Sequence, residues 1–179
     1  MASAQKLDLA APVVPTDHTR GSNHARVTIV EYGDFACPAC KAAEPDIRMI
    51  LERSPSQVRL VYRHFPIESA HPLALMAAEA AEAAAAQGQF WAMHDVLLEQ
   101  GARLGRPALD GYAAGLGLDM ALFRASLDDE IYRQRVREQI EGAALSHLRG
   151  TPGFYVNGRI CDTSGGIHAL SDRVAVLLR

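Results

Sequence analysis

The sequence predicts an α/β fold interrupted by a long helical block, and three observations predict it. A β-branched and aromatic run, Val27 to Tyr32, is followed by a helix-compatible segment from Pro38 to about Arg53 and by a second strand-like run, Gln57 to Phe65. From Ser69 to about Arg149 no stretch reads as strand, and strand character returns at Phe154-Tyr155-Val156. Strand, helix, strand is the βαβ unit of an α/β protein, and a helical insertion of about eighty residues then separates it from the closing strands.

Each element has a local reason. Residues 1–25 carry prolines, a glycine and turn-forming polar residues without a sustained period, so they read as a lead-in segment. Val27–Tyr32 is apolar at nearly every position, as a strand buried on both faces must be, and Glu31 inside it needs a reason for its carboxylate. Ser54-Pro55 ends the first helix, and Pro66 ends the second strand. Within the insertion, Ala77–Ala86 is almost pure Ala and Glu, Gln89–Gln100 is amphipathic, and Pro107–Gly115, Asp119–Leu127 and Asp129–Leu148 follow as helices separated by turns. The alanine run reads as close helix packing. Asn157-Gly158 suits a type I′ turn, so 154–161 reads as a hairpin, and a last amphipathic helix, Ile167 to Leu178, closes the chain.

Composition removes several classes of function. The 179 residues are 49% hydrophobic and 22% charged, with a net charge of −3, and there is no basic stripe to hold nucleic acid or an anionic membrane. No apolar run approaches the roughly 20 residues that span a bilayer. Three cysteines, Cys37, Cys40 and Cys161, are too few for a disulfide-stapled scaffold, and the close pair points to chemistry. Met1–Ala11 lacks the apolar core of an export signal, which places the chain in the cytoplasm if Met1 is the native start; a periplasmic or exported protein with its signal removed is the alternative.

Cys37-Pro38-Ala39-Cys40 sets two thiols three residues apart at the mouth of a helix, within disulfide reach. Unsatisfied N–H groups and the helix dipole favour a thiolate on Cys37, and Pro38 suits a first turn that does not need its N–H. Cys37 is therefore the expected nucleophile. It would attack a substrate disulfide, and Cys40 would resolve the mixed disulfide. Glu31, six residues upstream, would have its carboxyl pKa raised by burial and could exchange protons with Cys40; solvent exposure or pairing with an arginine is the alternative. Metal competes for the cysteines only if Cys161 and His168 supply a second pair of ligands, a spacing that matches no common zinc module, so neither metal nor cofactor is expected. Cys161 reads as a small buried hydrophobe, and His64, His71 and His94 as surface or satisfied core histidines.

Together, residues 27–40 (VTIVEYGDFACPAC), Pro45, and Gly150–Gly158 (GTPGFYVNG) resemble the DsbA-like thiol-disulfide oxidoreductases of the thioredoxin superfamily, a bacterial group, from about Ala25 to the C-terminus. The resemblance implies a thioredoxin fold at 26–68 and 149–179 with an inserted helical domain at 69–148. It implies a cis bond at Thr151-Pro152, a substrate-binding surface formed by Thr151, Pro152, Pro38 and Ala39, and a kink at Pro45. Two departures are visible. Ala39 replaces the histidine of the strongest oxidants, which implies a weaker oxidant, and the lead-in is too short for the dimerisation domain of related isomerases, which leaves a monomer as the expectation.

The activity expected is disulfide exchange with protein substrates, assisted by a redox partner and without nucleic acid or membrane insertion. A non-catalytic peptide-binding module and a glutathione-dependent transferase or isomerase are the alternatives.

Overall fold

The computed structural model describes residues 8–179. Residues 1–7, and with them most of the stretch read for an export signal, lie outside the described residues. Five strands form one mixed sheet in the order β1-β3-β2-β4-β5: β1 (His18–Gly21), β2 (Val27–Gly33), β3 (Val58–His64), β4 (Gly153–Val156) and β5 (Arg159–Cys161). β2 and β3 run parallel, joined through helix α1 (Pro38–Arg53), and the other neighbours are antiparallel. This is the thioredoxin-like arrangement.

Alternation along the strands divides the core. Val27 and Ile29 of β2, Val58 and Leu60 of β3, and Phe154 and Val156 of β4 meet Ala43, Ile47 and Ile50 of α1 and Leu170 and Val174 of α7 (His168–Leu178). Val30, Tyr32, Val61 and Tyr155 point the other way and pack against Leu9 and Ala143. Each aliphatic side chain removed from water in this way contributes roughly 1.5–3 kcal/mol, so both faces must stay covered. The same period of two puts Glu31 and Tyr62, partners in the β2–β3 register, on the α1 face of the sheet.

Between β3 and β4 lie five helices: α2 (Ala74–Ala85), α3 (Phe90–Glu99), α4 (Arg106–Gly115), α5 (Met120–Asp128) and α6 (Arg133–Leu145). The small side chains Ala77, Ala80, Ala81 and Ala84 let α2 sit in the middle of a cluster that also contains Met93, Leu97, Leu109 and Phe123. Helix α6 starts four residues later than the sequence suggests. The backbone turns left-handed at Glu130, with φ 52°, and Ile131 donates back to Ser126 O at 3.0 Å, which separates α5 from α6.

The lead-in segment departs from its reading as irregular chain, because it supplies the edge strand β1. His-Thr-Arg-Gly has no hydrophobic alternation to betray a strand. What holds it is tertiary: a four-residue ladder to β3, an Arg20–Asp95 ion pair at 2.9 Å, and Trp91 Nε1 donating to Thr19 O at 3.0 Å. At the other edge, Asn157 and Gly158 have φ of 48° and 76°, the left-handed pair that a type I′ turn requires.

Candidate active site

The site begins where β2 ends. Asp34, almost fully buried, ties the loop ahead of the cysteines: its Oδ1 accepts from Ala36 N at 2.8 Å, and its Oδ2 from Ile67 N at 3.0 Å and faces His71 Nδ1 at 2.7 Å. Its carbonyl accepts from Cys37 N at 3.0 Å. Sequence reasoning passed over Asp34, although an Asp two residues before a small residue at a helix entry is the signature of an Asx turn. His71, read as bland, is the partner of that turn.

Cys37 is the N-cap of α1, extended at φ −77° and ψ 119°, with Pro38 inside the first turn. Cys40 lies one turn deeper and is buried. Both are free thiols. Their environments drive them apart. A hydrogen bond from Cys40 holds the Cys37 thiol down to about 5, against the opposing effect of burial, and Thr151 and the amides of Cys40 and Ala39 add to it. Ala39 offers no imidazolium, so the Cys40 thiol does most of this work and the helix amides add to it. Cys40 is pushed far above the ordinary thiol range by that same bond, by burial and by the charge of Glu31.

Across from α1, the Thr151-Pro152 peptide is cis, and Thr151 O accepts from Cys37 Sγ at 3.3 Å. A groove of about 770 Å³ opens beside Pro152, with Leu148, Arg149, Phe154, Ile160 and Cys161 in its walls. Cys161 is half-buried against the α1–α7 core, and burial raises its pKa. Pro45 lies within α1, which continues past it to Arg53.

Glu31 is fully buried, and neither carboxylate oxygen has a hydrogen-bond partner. Burial, then the charges of Glu44 and Cys37, push its carboxyl up to about 8. It is neither exposed nor paired with an arginine. The charge of Glu31 raises the Cys40 thiol and that of Cys37 raises the Glu31 carboxyl, and the structure brings Cys37, Cys40, Glu31, Thr151 and Pro152 to one end of the sheet.

Two groups among the described residues gather metal-type ligands, and both are already neutralised. His18, His64 and Glu82 converge, but Arg135 Nε holds Glu82 at 2.8 Å, and both histidines bond to its Oε1. Glu44, His94 and Asp95 converge, but Arg48 reaches Glu44 at 2.7 Å and Asp95 at 3.1 Å, while Arg20 holds Asp95 at 2.9 Å. Neither group includes Cys161 or His168.

A mixed sheet with a dithiol at a helix mouth facing a Thr-Pro loop defines a protein of the thioredoxin fold. A family model described as thioredoxin matches residues 13–174, and the chain belongs to that family. Among solved structures it is similar to a thioredoxin-like oxidoreductase from Silicibacter pomeroyi (TM-score 0.80, 27% identity, 91% of this chain and 92% of that one). It shares its fold with BdbD from Bacillus subtilis in the oxidised form (TM-score 0.81, 21% identity, 90% and 92%). Curated relatives include Na(+)/H(+) antiporter NhaA 1 of Salinispora arenicola, 51% identical over 170 residues, 94% of this chain and 26% of that protein. Another is Na(+)/H(+) antiporter NhaA of Herminiimonas arsenicoxydans, 41% identical over 152 residues, 84% of this chain and 24% of that protein. The chain thus spans about a quarter of the length of these relatives. Among the described residues no helix is long and apolar enough to cross a membrane.

Proposed function

We propose that the chain is a thiol-disulfide oxidoreductase that exchanges disulfides with protein substrates through Cys37 and Cys40. The observation that carries this reading is the opposite treatment of two neighbouring thiols: Cys37 is held as a thiolate near neutral pH and Cys40 as a buried thiol. The Cys37 thiolate attacks one sulfur of a substrate disulfide, and the other leaves and takes a proton. Cys40, having given up its own proton, attacks Cys37 Sγ, closes the Cys37–Cys40 bond and releases the second substrate thiol. Run backwards, the same steps donate a disulfide.

Glu31 is the group that exchanges the Cys40 proton. Thr151 and Pro152, with Pro38 and Ala39 across from them, form the surface on which an extended substrate chain lies, Thr151 pairing by backbone addition. The thioredoxin-fold unit is then 26–68 with 149–179, to which the lead-in adds the edge strand β1, and 69–148 is the inserted helical domain covering Cys40. Replacing Cys37 with Ser is expected to abolish insulin reduction; turnover that survives would overturn the reading, and peptide affinity indifferent to both cysteines would favour a binding module.

The likeness to part of proteins named as antiporters favours a second reading for the partner, in which this redox unit works beside a membrane transporter. A Cys40→Ser variant, which cannot resolve the mixed disulfide, is expected to trap the antiporter through Cys37 when the two are expressed together; no trapped species removes this partner and leaves the exchange chemistry standing.

A further inference from the structure

Strand β2 ends at Gly33, and the peptide that follows it faces the buried thiol. The Asp34 N–H donates to Cys40 Sγ at 3.5 Å, a bond that is weak to a thiol and strong to a thiolate. The strand ladder does not fix that N–H, because Gly33–His64 is the last register pair of β2 and β3. It is fixed by the chain that leaves β3 for the insertion. Phe65 N donates at 2.7 Å to Gly33 O, the carbonyl of the same peptide unit. Ile67 N donates to Asp34 Oδ2 at 3.0 Å, and His71 Nδ1 meets that oxygen at 2.7 Å. His71 N in turn donates to Ile67 O at 2.8 Å, which closes the turn on itself.

Both Asp34 oxygens accept from backbone amides, Oδ1 from Ala36 N at 2.8 Å, so the carboxyl acts as an acceptor and His71 Nδ1 carries the proton between them. The imidazole is about one-quarter exposed, whereas the Asp34 side chain is sealed.

The sulfur that receives the Asp34 N–H has few other friends. The bond to Cys37, burial and the charge of Glu31 push the Cys40 thiol up, and the Asp34 amide pulls it down. A donor aimed in advance at the place where charge develops lowers the barrier to developing it. The bond from Phe65 adds to this, because it polarises the peptide whose N–H is on offer.

We propose that Asp34 and His71 are positioning residues for the resolving step: His71 holds the Asp34 side chain, and Asp34 thereby keeps its own N–H on Cys40 Sγ while that sulfur carries charge. This rests on the exchange reaction above. In that step Cys40 Sγ–H gives its proton to the base, and its electron pair forms the bond to Cys37 Sγ. The Cys37–substrate bond breaks, its pair leaves on the substrate sulfur, and that sulfur takes a proton from water. The chain is oxidised by two electrons and the substrate disulfide reduced by two. Neither Asp34 nor His71 supplies a proton or touches substrate.

The two thiols depend on Asp34 through different atoms. Cys37 N donates to the Asp34 carbonyl at 3.0 Å, on the side of the residue that the turn to Ala36 holds by itself. Loss of His71 therefore bears on Cys40 and spares Cys37.

The test uses the reduced chain and an aryl disulfide that releases one coloured thiolate when Cys37 attacks and a second when Cys40 resolves. In His71→Ala the first release is expected within twofold of the unaltered chain, and the second about fivefold slower or more. His71→Asn, whose side-chain amide donates from the place of Nδ1, should bring the second release back to within twofold. His71→Gln fills the space but sets its amide one bond farther out, so it should behave like His71→Ala, and it decides the matter if His71→Ala does not fold. In the nitrogen-labelled reduced chain the Asp34 amide proton resonance should move upfield in His71→Gln and keep its place in His71→Asn. Second releases within twofold of the unaltered chain in both His71→Ala and His71→Gln would overturn the proposal. So would both releases slowing by one common factor, or an Asp34 resonance that does not move. A chain that gives neither release in its unaltered form would instead overturn the exchange reaction itself.

Discussion

Two buried carboxylates lie on opposite faces of the sheet and have opposite fates. Asp17, its side chain 5% exposed, takes Arg63 on both oxygens at 3.0 and 2.8 Å, and the remaining Arg63 donors go to Ala11 O, Pro12 O and the Tyr32 hydroxyl. Glu31, behind the thiols, has no partner at all. The first acid is architecture: it pins the lead-in segment to β3. The second is held at a cost in stability, which suits the proton-exchanging role proposed for it.

The comparison can be broken most forcefully at its paired end. Arg63→Ala leaves Asp17 without its counter-charge, and the loss of an interior partner of this kind is worth about 3–5 kcal/mol, to be read from urea denaturation. A loss under about 1 kcal/mol would mean that the pair contributes nothing to the anchorage of the lead-in.

At the unpaired end the sign reverses. A carboxyl whose pKa rises from 4.5 to about 8 on folding binds its proton more tightly in the folded chain, so its contribution is complete below pH 4.5 and is lost as pH climbs to 8. Glu31→Gln removes that slope, and the variant is expected to be more stable by ~2–4 kcal/mol at pH 8 while it resolves mixed disulfides more slowly. Equal stability of the two chains across pH 5–8 would show Glu31 to be solvated and the contrast with Asp17 false.

Asp34 stands between these cases, since it is buried and satisfied by backbone amides. Asp34→Asn keeps one acceptor and forfeits the charge-assisted bonds, for a loss of ~1–2 kcal/mol by thermal unfolding and a slower first attack by Cys37. At the small end, Asp128, well exposed, pairs with Arg106 at 2.7 Å, and Asp128→Asn should cost under about 0.5 kcal/mol and vanish in high salt.

What the sequence revealed of this and what it hid divide by distance along the chain. Cys37, Pro38 and Cys40 declare a helix mouth because the pattern is local. Val27 to Tyr32 declares a buried strand, and Glu31 inside it stands out as a carboxylate needing a purpose. Its neighbours do not. Tyr62 meets Glu31 through register between strands, and His94 reaches Tyr62 from a helix of the insertion, so neither contact has a periodicity to announce it. For the same reason His94 reads as an ordinary histidine and β1 as irregular chain, since Arg20 and Asp95 are 75 residues apart. The helices of the insertion were visible as composition, and the left-handed break at Glu130, which sets the start of α6, was not.

The burial of Cys40 has a consequence in time. In the exchange reaction proposed above, a resolving thiol that must first shed a proton would give the mixed disulfide a lifetime. During that interval a poorly fitting chain would be expelled by other thiols, while a chain well seated along Thr151 and Pro152 would stay until the bond closed. The depth of one cysteine would thereby act as a clock, and selectivity among substrates would depend on how long that clock runs as well as on how well they fit.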